Sequence, residues 1–198
     1  MTGRVGRLRL ERRLALARHG AELLDRKQRI MADELDRLHL HAAAAREQWE
    51  EAAHAAATWL ERAVALDGTA ALAEARPAVA ATVEVRWDVT MGVSYPAHAS
   101  CAVPDGPPSG GSSALALAVR AHREALARGV AVAAAERAVR LVTAELAATR
   151  RRQHAVEDRW IPRLEEELAT VRRVLEEQDL EETLRVHWAA ENMERERR

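Results

Sequence analysis

A glycine-serine run, eight histidines, one cysteine and several acidic pairs are the places in this chain where chemistry would be sought first. Gly110-Gly111-Ser112-Ser113 has the small residues of a phosphate-cradling loop. Such a loop also needs a lysine behind its glycines and a strand in front, and both are missing. His39 and His41 are two apart, a spacing that points side chains to different sides of a helix and is wrong for chelation. Glu50 with His54, and His154 with Glu157 or Asp158, do share a helix face. In a chain with 31% charged residues such pairs arise by chance, and they read as solvated surface. Cys101 stands alone, so neither an intramolecular disulfide nor a cysteine-based zinc site can form, and a reducing compartment such as the cytoplasm fits. No dinucleotide fingerprint, nucleophile elbow or zinc-binding helix motif is present. The expectation is a non-catalytic protein with no catalytic, cofactor-binding or metal-binding residues and no cofactor.

Composition then asks what the chain builds instead. It has 198 residues, with 43 Ala, 9 Gly, 6 Pro, no Phe, one Tyr and five Trp. Aromatic-rich β folds are disfavoured on those numbers, and the mixture approaches that of long helices. Of the 30 basic residues only Lys27 is a lysine. A net charge of −1 removes the footprint of a protein that binds nucleic acid along its whole surface. No stretch approaches the ~18 to 20 apolar residues needed to span a bilayer, so no direct membrane insertion and no processing are expected.

Alternate steps of four and three from Leu10 reach Leu14, Ala17, Ala21, Leu24, Gln28, Met31, Leu35, Leu38, Ala42, Ala45, Trp49, Ala52, Ala56, Trp59, Ala63 and Leu66, and Gln28 alone is polar. A stripe with a 3.5-residue period imposes a left-handed supercoil with a partner helix, because an ideal 3.6-residue helix would rotate the stripe away. Such a helix would run ~85 Å at 1.5 Å per residue, too long for the core of a compact domain. Trp49 and Trp59 lie on the stripe and read as packing residues. Asp67-Gly68-Thr69 is expected to stop this helix through a left-handed glycine cap.

From Val83 to Tyr95 every odd residue is apolar, the alternation of a half-buried strand, and a small hairpin is expected with its turn at Met91-Gly92. Pro96 to Val103 would supply an irregular second half. Pro104 to Ser113 carries no apolar residue after its proline and reads as a mobile loop. Helical pattern resumes at Ala114, is punctuated by Gly129, and continues along Ala135, Val139, Val142, Leu146, Thr149, Gln153, Val156 and Trp160. Two consecutive four-residue steps to Leu164 and Leu168 follow, before Val171 and Leu175. This stutter coincides with Pro162 and predicts local unwinding and a bend.

Residues 4 to 29 carry nine basic and three acidic side chains, whereas residues 157 to 182 carry ten acidic and four basic. Antiparallel pairing within one chain would bring these opposite balances together, and a parallel homodimer would bring like ends together. Glu165-Glu166-Glu167 would then be solvent-facing or flank the seam. The fold expected is all-α: a long antiparallel two-helix coiled coil with a small middle region containing a short β-hairpin. Its parts are an N-terminal helix over 1–67, a middle region over 68–113 and a C-terminal helical arm over 114–198.

Three separated patches together resemble the D subunit of V-type (A/V-type) rotary ATPases, the central rotor shaft. They are Ala17-Arg18-His19-Gly20-Ala21-Glu22-Leu23-Leu24-Asp25-Arg26-Lys27, then Met91-Gly92-Val93-Ser94-Tyr95-Pro96, and last Arg151-Arg152-Gln153-His154-Ala155-Val156-Glu157 with Ile161-Pro162, Leu175-Glu176-Glu177 and Glu181-Glu182-Thr183-Leu184-Arg185. The chain departs from the family pattern at Asp25, Gln28, Gln153, His154 and His187-Trp188. The resemblance implies a non-catalytic shaft coupling ATP synthesis or hydrolysis to ion transport, cytoplasmic and peripheral to the membrane. Its partners would be a hexamer of catalytic A and nucleotide-binding B subunits, a small F subunit beside the shaft, and a socket subunit joining the middle region to the membrane rotor. A self-associating coiled-coil scaffold and a prefoldin-like chaperone are the other readings. The second would need apolar helix ends, and here Arg4, Arg7, Arg9, Arg12 and Arg13 and the closing Glu194-Arg195-Glu196-Arg197-Arg198 are charged.

Overall fold

The computed structural model describes residues 3–75, 77, 79–104 and 110–196. Its elements are α1 (Arg4–Glu74), β1 (Thr82–Thr90), β2 (Val93–Ala102), α2 (Ser113–Ala155), one π-helical turn (Val156–Trp160) and α3 (Ile161–Glu196). The fold is all-α with one small antiparallel hairpin. Half of the expected mobile loop, Asp105 to Ser109, lies outside the described residues. The chain divides into two compact units, one of residues up to Gln28 with those from Ala148 onward, the other Arg29–Ala147.

In the first unit Leu14 of α1 packs on Leu164 and Leu168 of α3, flanked by Leu10, Ala17 and Ile161. The pairing is antiparallel: Arg4 reaches Asp179, Glu11 reaches Arg172 and Arg18 reaches Glu165 across the seam. Two of these three pairs have the basic partner on α1, as the charge balances require, and Glu11 with Arg172 runs the other way. Exposed pairs contribute only ~0 to 1 kcal/mol each, so the apolar seam holds the helices and the charges bias their direction. The acidic run flanks the seam through Glu165, while Glu167 pairs along its own helix with Arg163.

The stutter takes the form of the π turn, in which the Ile161 N–H donates to the Val156 carbonyl. Pro162 has no N–H to give the carbonyl four residues back, and the wider turn relieves the clash its ring would make there. Trp160, expected on the seam, is instead 43% exposed. The extra residue in the turn carries it off the stripe, and the seam recovers at Leu164 and Leu168. The Arg13 guanidinium lies over the Trp160 ring, 5.3 Å from its centroid.

In the second unit Met31 and Leu38 of α1 pack with Ala138, Val142 and Leu146 of α2 and with Tyr95 of β2. A second cluster joins Ala63 to Ala114, Leu115 and Ala118, with Trp59, Ala71 and Leu72 against it. The helix break falls at Gly68, whose φ of 76° suits glycine, but helix resumes and runs to Glu74 rather than ending there. Gly129 does not punctuate α2. It lies in mid-helix because a Cβ there would come 3.2 Å from the Trp49 indole nitrogen, so the glycine admits the ring.

Met91 and Gly92 form the hairpin turn, both with positive φ (50° and 82°), the two-residue geometry that matches strand twist. The second half is not irregular: β2 is a ten-residue strand with a bulge opposite Arg86/Trp87. The expected burial of the odd residues fails on β1, where Val83, Val85, Trp87 and Val89 are 41% to 63% exposed. A two-residue turn pairs Thr90 with Val93 and Asp88 with Tyr95, so Tyr95 lies on the opposite face from Trp87 and Val89. Odd-numbered apolar residues therefore do not share one face through the turn. β2 is the strand that meets the helices, through Tyr95, Pro96 and Ala99.

Candidate functional site

The titratable pairs found by spacing remain surface features. His39, His41, Glu50 and His54 are exposed, and the His154 Nδ1 lies 3.6 Å from an exposed Asp158 carboxylate. Among the described residues no three His, Cys, Asp or Glu side chains converge to hold a metal ion. Trp49 is half-buried against Gly129 and Trp59 packs on the Ala63 cluster, its ring 4.6 Å from the Arg62 guanidinium.

Ser112, in the glycine-serine run, is the N-cap of α2. Its hydroxyl accepts from the Leu115 N–H, while its own N–H and hydroxyl both donate to the Asp67 carboxylate. The anion at this helix start is thus supplied by the chain itself, one residue before the Gly68 break. Gly111 leaves room for Leu115, whose Cδ2 would meet an added Cβ at 2.8 Å.

Two polar stripe positions meet in the first unit, where the Gln28 amide donates to the Gln153 carbonyl oxygen and Gln153 donates to Glu157 at 2.8 Å. A hydrogen-bonded amide pair in an apolar seam is satisfied in one register only, at some cost in stability.

A further polar cluster is not legible from spacing. The Tyr95 hydroxyl donates to Glu34 Oε1 at 2.6 Å, and Arg37 donates to the same carboxylate through Nε (2.9 Å) and Nη2 (2.5 Å). Thr90 Oγ1 lies 3.3 Å from the Tyr95 hydroxyl. Arg37 bonding holds the Glu34 carboxyl below its ordinary pKa, and burial together with the bond to Glu34 pushes the Tyr95 phenol above its own. Glu34 therefore contributes stability that is present above the unfolded carboxyl pKa and lost as pH falls through the depressed folded value. Tyr95 contributes stability present below the unfolded phenol pKa near 10 and lost as pH rises through the raised folded value. Tyr95 is the one tyrosine, so absorbance at 295 nm reads it directly. Its titration is expected above pH 10, moving down toward 10 in Glu34→Gln. An ordinary titration at 10 in the parent chain would contradict this geometry.

Two further regions among the described residues expose several large apolar side chains. One is the β1 face. The other is the end of α3, where Leu180, Leu184, Val186, Trp188 and Met193 are all exposed. On β1 these side chains share one face, whereas on α3 Leu180, Leu184 and Trp188 share one side of the helix and Val186 and Met193 lie on the other.

Residues 7–191 match the family described as the ATP synthase D subunit. The chain belongs to the ATP synthase D subunit family. It is 35% identical over 194 residues to the V-type ATP synthase D subunit of Anaeromyxobacter sp. (strain K), covering 93% of this chain and 92% of the relative. The same protein of Anaeromyxobacter dehalogenans (strain 2CP-1 / ATCC BAA-258) is also 35% identical, with the same coverage. That of Anaeromyxobacter sp. (strain Fw109-5) is 32% identical over 193 residues, covering 93% of this chain and 90% of the relative. The patches that carry the family resemblance include residues that bend the backbone: Met91-Gly92 makes the turn, Pro96 lies at the strand bulge and Pro162 follows the π turn. No described helix is long and apolar enough to cross a membrane.

Proposed function

We propose that this chain is the central-stalk shaft of a V-type ATPase/ATP synthase, coupling ATP turnover in a ring of A and B subunits to ion transport by rotation. Membership of the ATP synthase D subunit family carries the reading, and the paired helices support it. Knobs-into-holes seams give the stiffness a shaft needs, and an off-axis helix pair presents different faces to three equivalent catalytic sites. Its angle then biases their nucleotide affinities, and by linkage their occupancy biases its angle. The exposed apolar end of α3 supplies contacts for the inner surface of the ring. The apolar β1 face supplies contacts for the socket subunit, and a small F subunit binds beside the helices. The shaft works in the cytoplasm, peripheral to the membrane, with no catalytic residue of its own.

Purified alone, the chain is expected to hydrolyse no ATP. Affinity-purified from native membranes, it is expected to bring down the catalytic and nucleotide-binding subunits with ATPase activity, about one shaft per three catalytic copies. Hydrolysis by the isolated chain, or an active ATPase complex that lacks it, would overturn the reading.

A further inference from the structure

The hairpin touches the helices through one strand. Residues 82–89 of β1 are all exposed, and on β2 the buried residues are Tyr95, Pro96 and Ala99. Tyr95 fills the cluster of Met31, Leu38, Ala138, Val142 and Leu146, and its hydroxyl emerges at Glu34, 61 residues away in sequence. Glu34 is itself held by Arg37 on the next turn of α1, and Thr90 reaches the Tyr95 hydroxyl from the other side of the hairpin turn. These four side chains thus tie the turn end of the hairpin to α1 at one point, and further along β2 Ala99 is also buried. Arg37 is 61% exposed and Glu34 16%, so the tie lies at the edge of solvent, where a hydrogen bond can open without unpacking the helices.

We propose that Glu34, Arg37, Thr90 and Tyr95 are a latch that sets the stance of the hairpin, and with it the direction in which the apolar β1 face is presented. The four act as positioning residues: none needs to touch a partner. Freed from Glu34, the Tyr95 ring keeps its apolar packing but loses the bond that fixes where the turn end lies, and Trp87 and Val89 move with the turn. That β1 then meets the socket subunit rests on the rotor reading of the chain. The latch itself does not.

Hydrogen exchange on the full chain tests the latch, and the assembled ATPase tests its use. In Tyr95→Phe the amides of residues 88–95 should exchange roughly tenfold faster, while amides of α1 and α2 around Met31 and Val142 exchange at the parent rate. Glu34→Gln keeps an acceptor for the hydroxyl and should fall between parent and Tyr95→Phe; Glu34→Ala should match Tyr95→Phe. Unchanged exchange in both Tyr95→Phe and Glu34→Ala overturns the latch. So does acceleration spread evenly over the helices, which would mark ordinary loss of stability. In the assembled complex, Tyr95→Phe should lower the ions moved per ATP with the full set of subunits intact. Faster hairpin exchange with full coupling would keep the latch and remove the hairpin from the coupling path.

Discussion

Met31→Asp is expected to unfold residues 29–147, with far-UV circular dichroism losing much of its helical signal. Met31 is 0% exposed and packs among Leu38, Tyr95, Ala138, Val142 and Leu146. Truncation to Ala at such a site costs about 2 to 5 kcal/mol through lost apolar burial and the cavity left behind. Asp adds an unpaired charge among apolar groups, which must be protonated or drag water into the core, a further cost of several kcal/mol. Together these are comparable to the whole stability of a typical domain, about 5 to 15 kcal/mol. Leu40→Asp supplies the control. Leu40 lies nine residues along the same helix, is 74% exposed, and should change stability by no more than about 0.5 kcal/mol. Equal melting temperatures for the two variants would show that the seam does not run through Met31.

That contrast marks how far the pattern of residue types can be read. The 3.5-residue period distinguishes Met31 from Leu40 without a structure, because both are apolar and only one falls on the stripe. Sixteen of the seventeen stripe positions on α1 are buried or half-buried, and Leu66, the last, is exposed. The stripe fails there because the helix breaks two residues later at Gly68. The stutter at Pro162 is legible as a disturbance of period but not as a π turn, and so the period places Trp160 on the wrong side of the seam. On the hairpin, alternation marks which residues share a face but not which strand meets the helices, and so it places Val83 to Val89 inside, whereas the buried residues are Tyr95, Pro96 and Ala99 of β2. The Tyr95 latch lies beyond reach for a different reason. Glu34 is off the stripe and looks like any other acidic surface residue, and only the folded path of the chain brings it to a tyrosine 61 residues later. The Asp67 and Ser112 cap is hidden in the same way, since its partners are 45 residues apart.

Tethering the end of α3 tests the rotor proposal most directly. Arg195 is exposed near the end of the described helix, beyond the Arg4 and Asp179 pair where α1 begins. With Cys101, the one native thiol, replaced by Ser, Arg195→Cys should form a disulfide with a cysteine placed on the inner surface of the catalytic ring. A shaft fixed at that point cannot present its asymmetric face to the three sites in turn, so no site can be carried through the full change in affinity that releases product. Oxidation should stop ATP turnover, and reduction should restore it to the level of the same complex never oxidised. The measurement is steady-state hydrolysis on a preparation whose cross-link is complete by gel. The rotor account predicts arrest that thiol reduction reverses; full hydrolysis with every shaft tethered would contradict it.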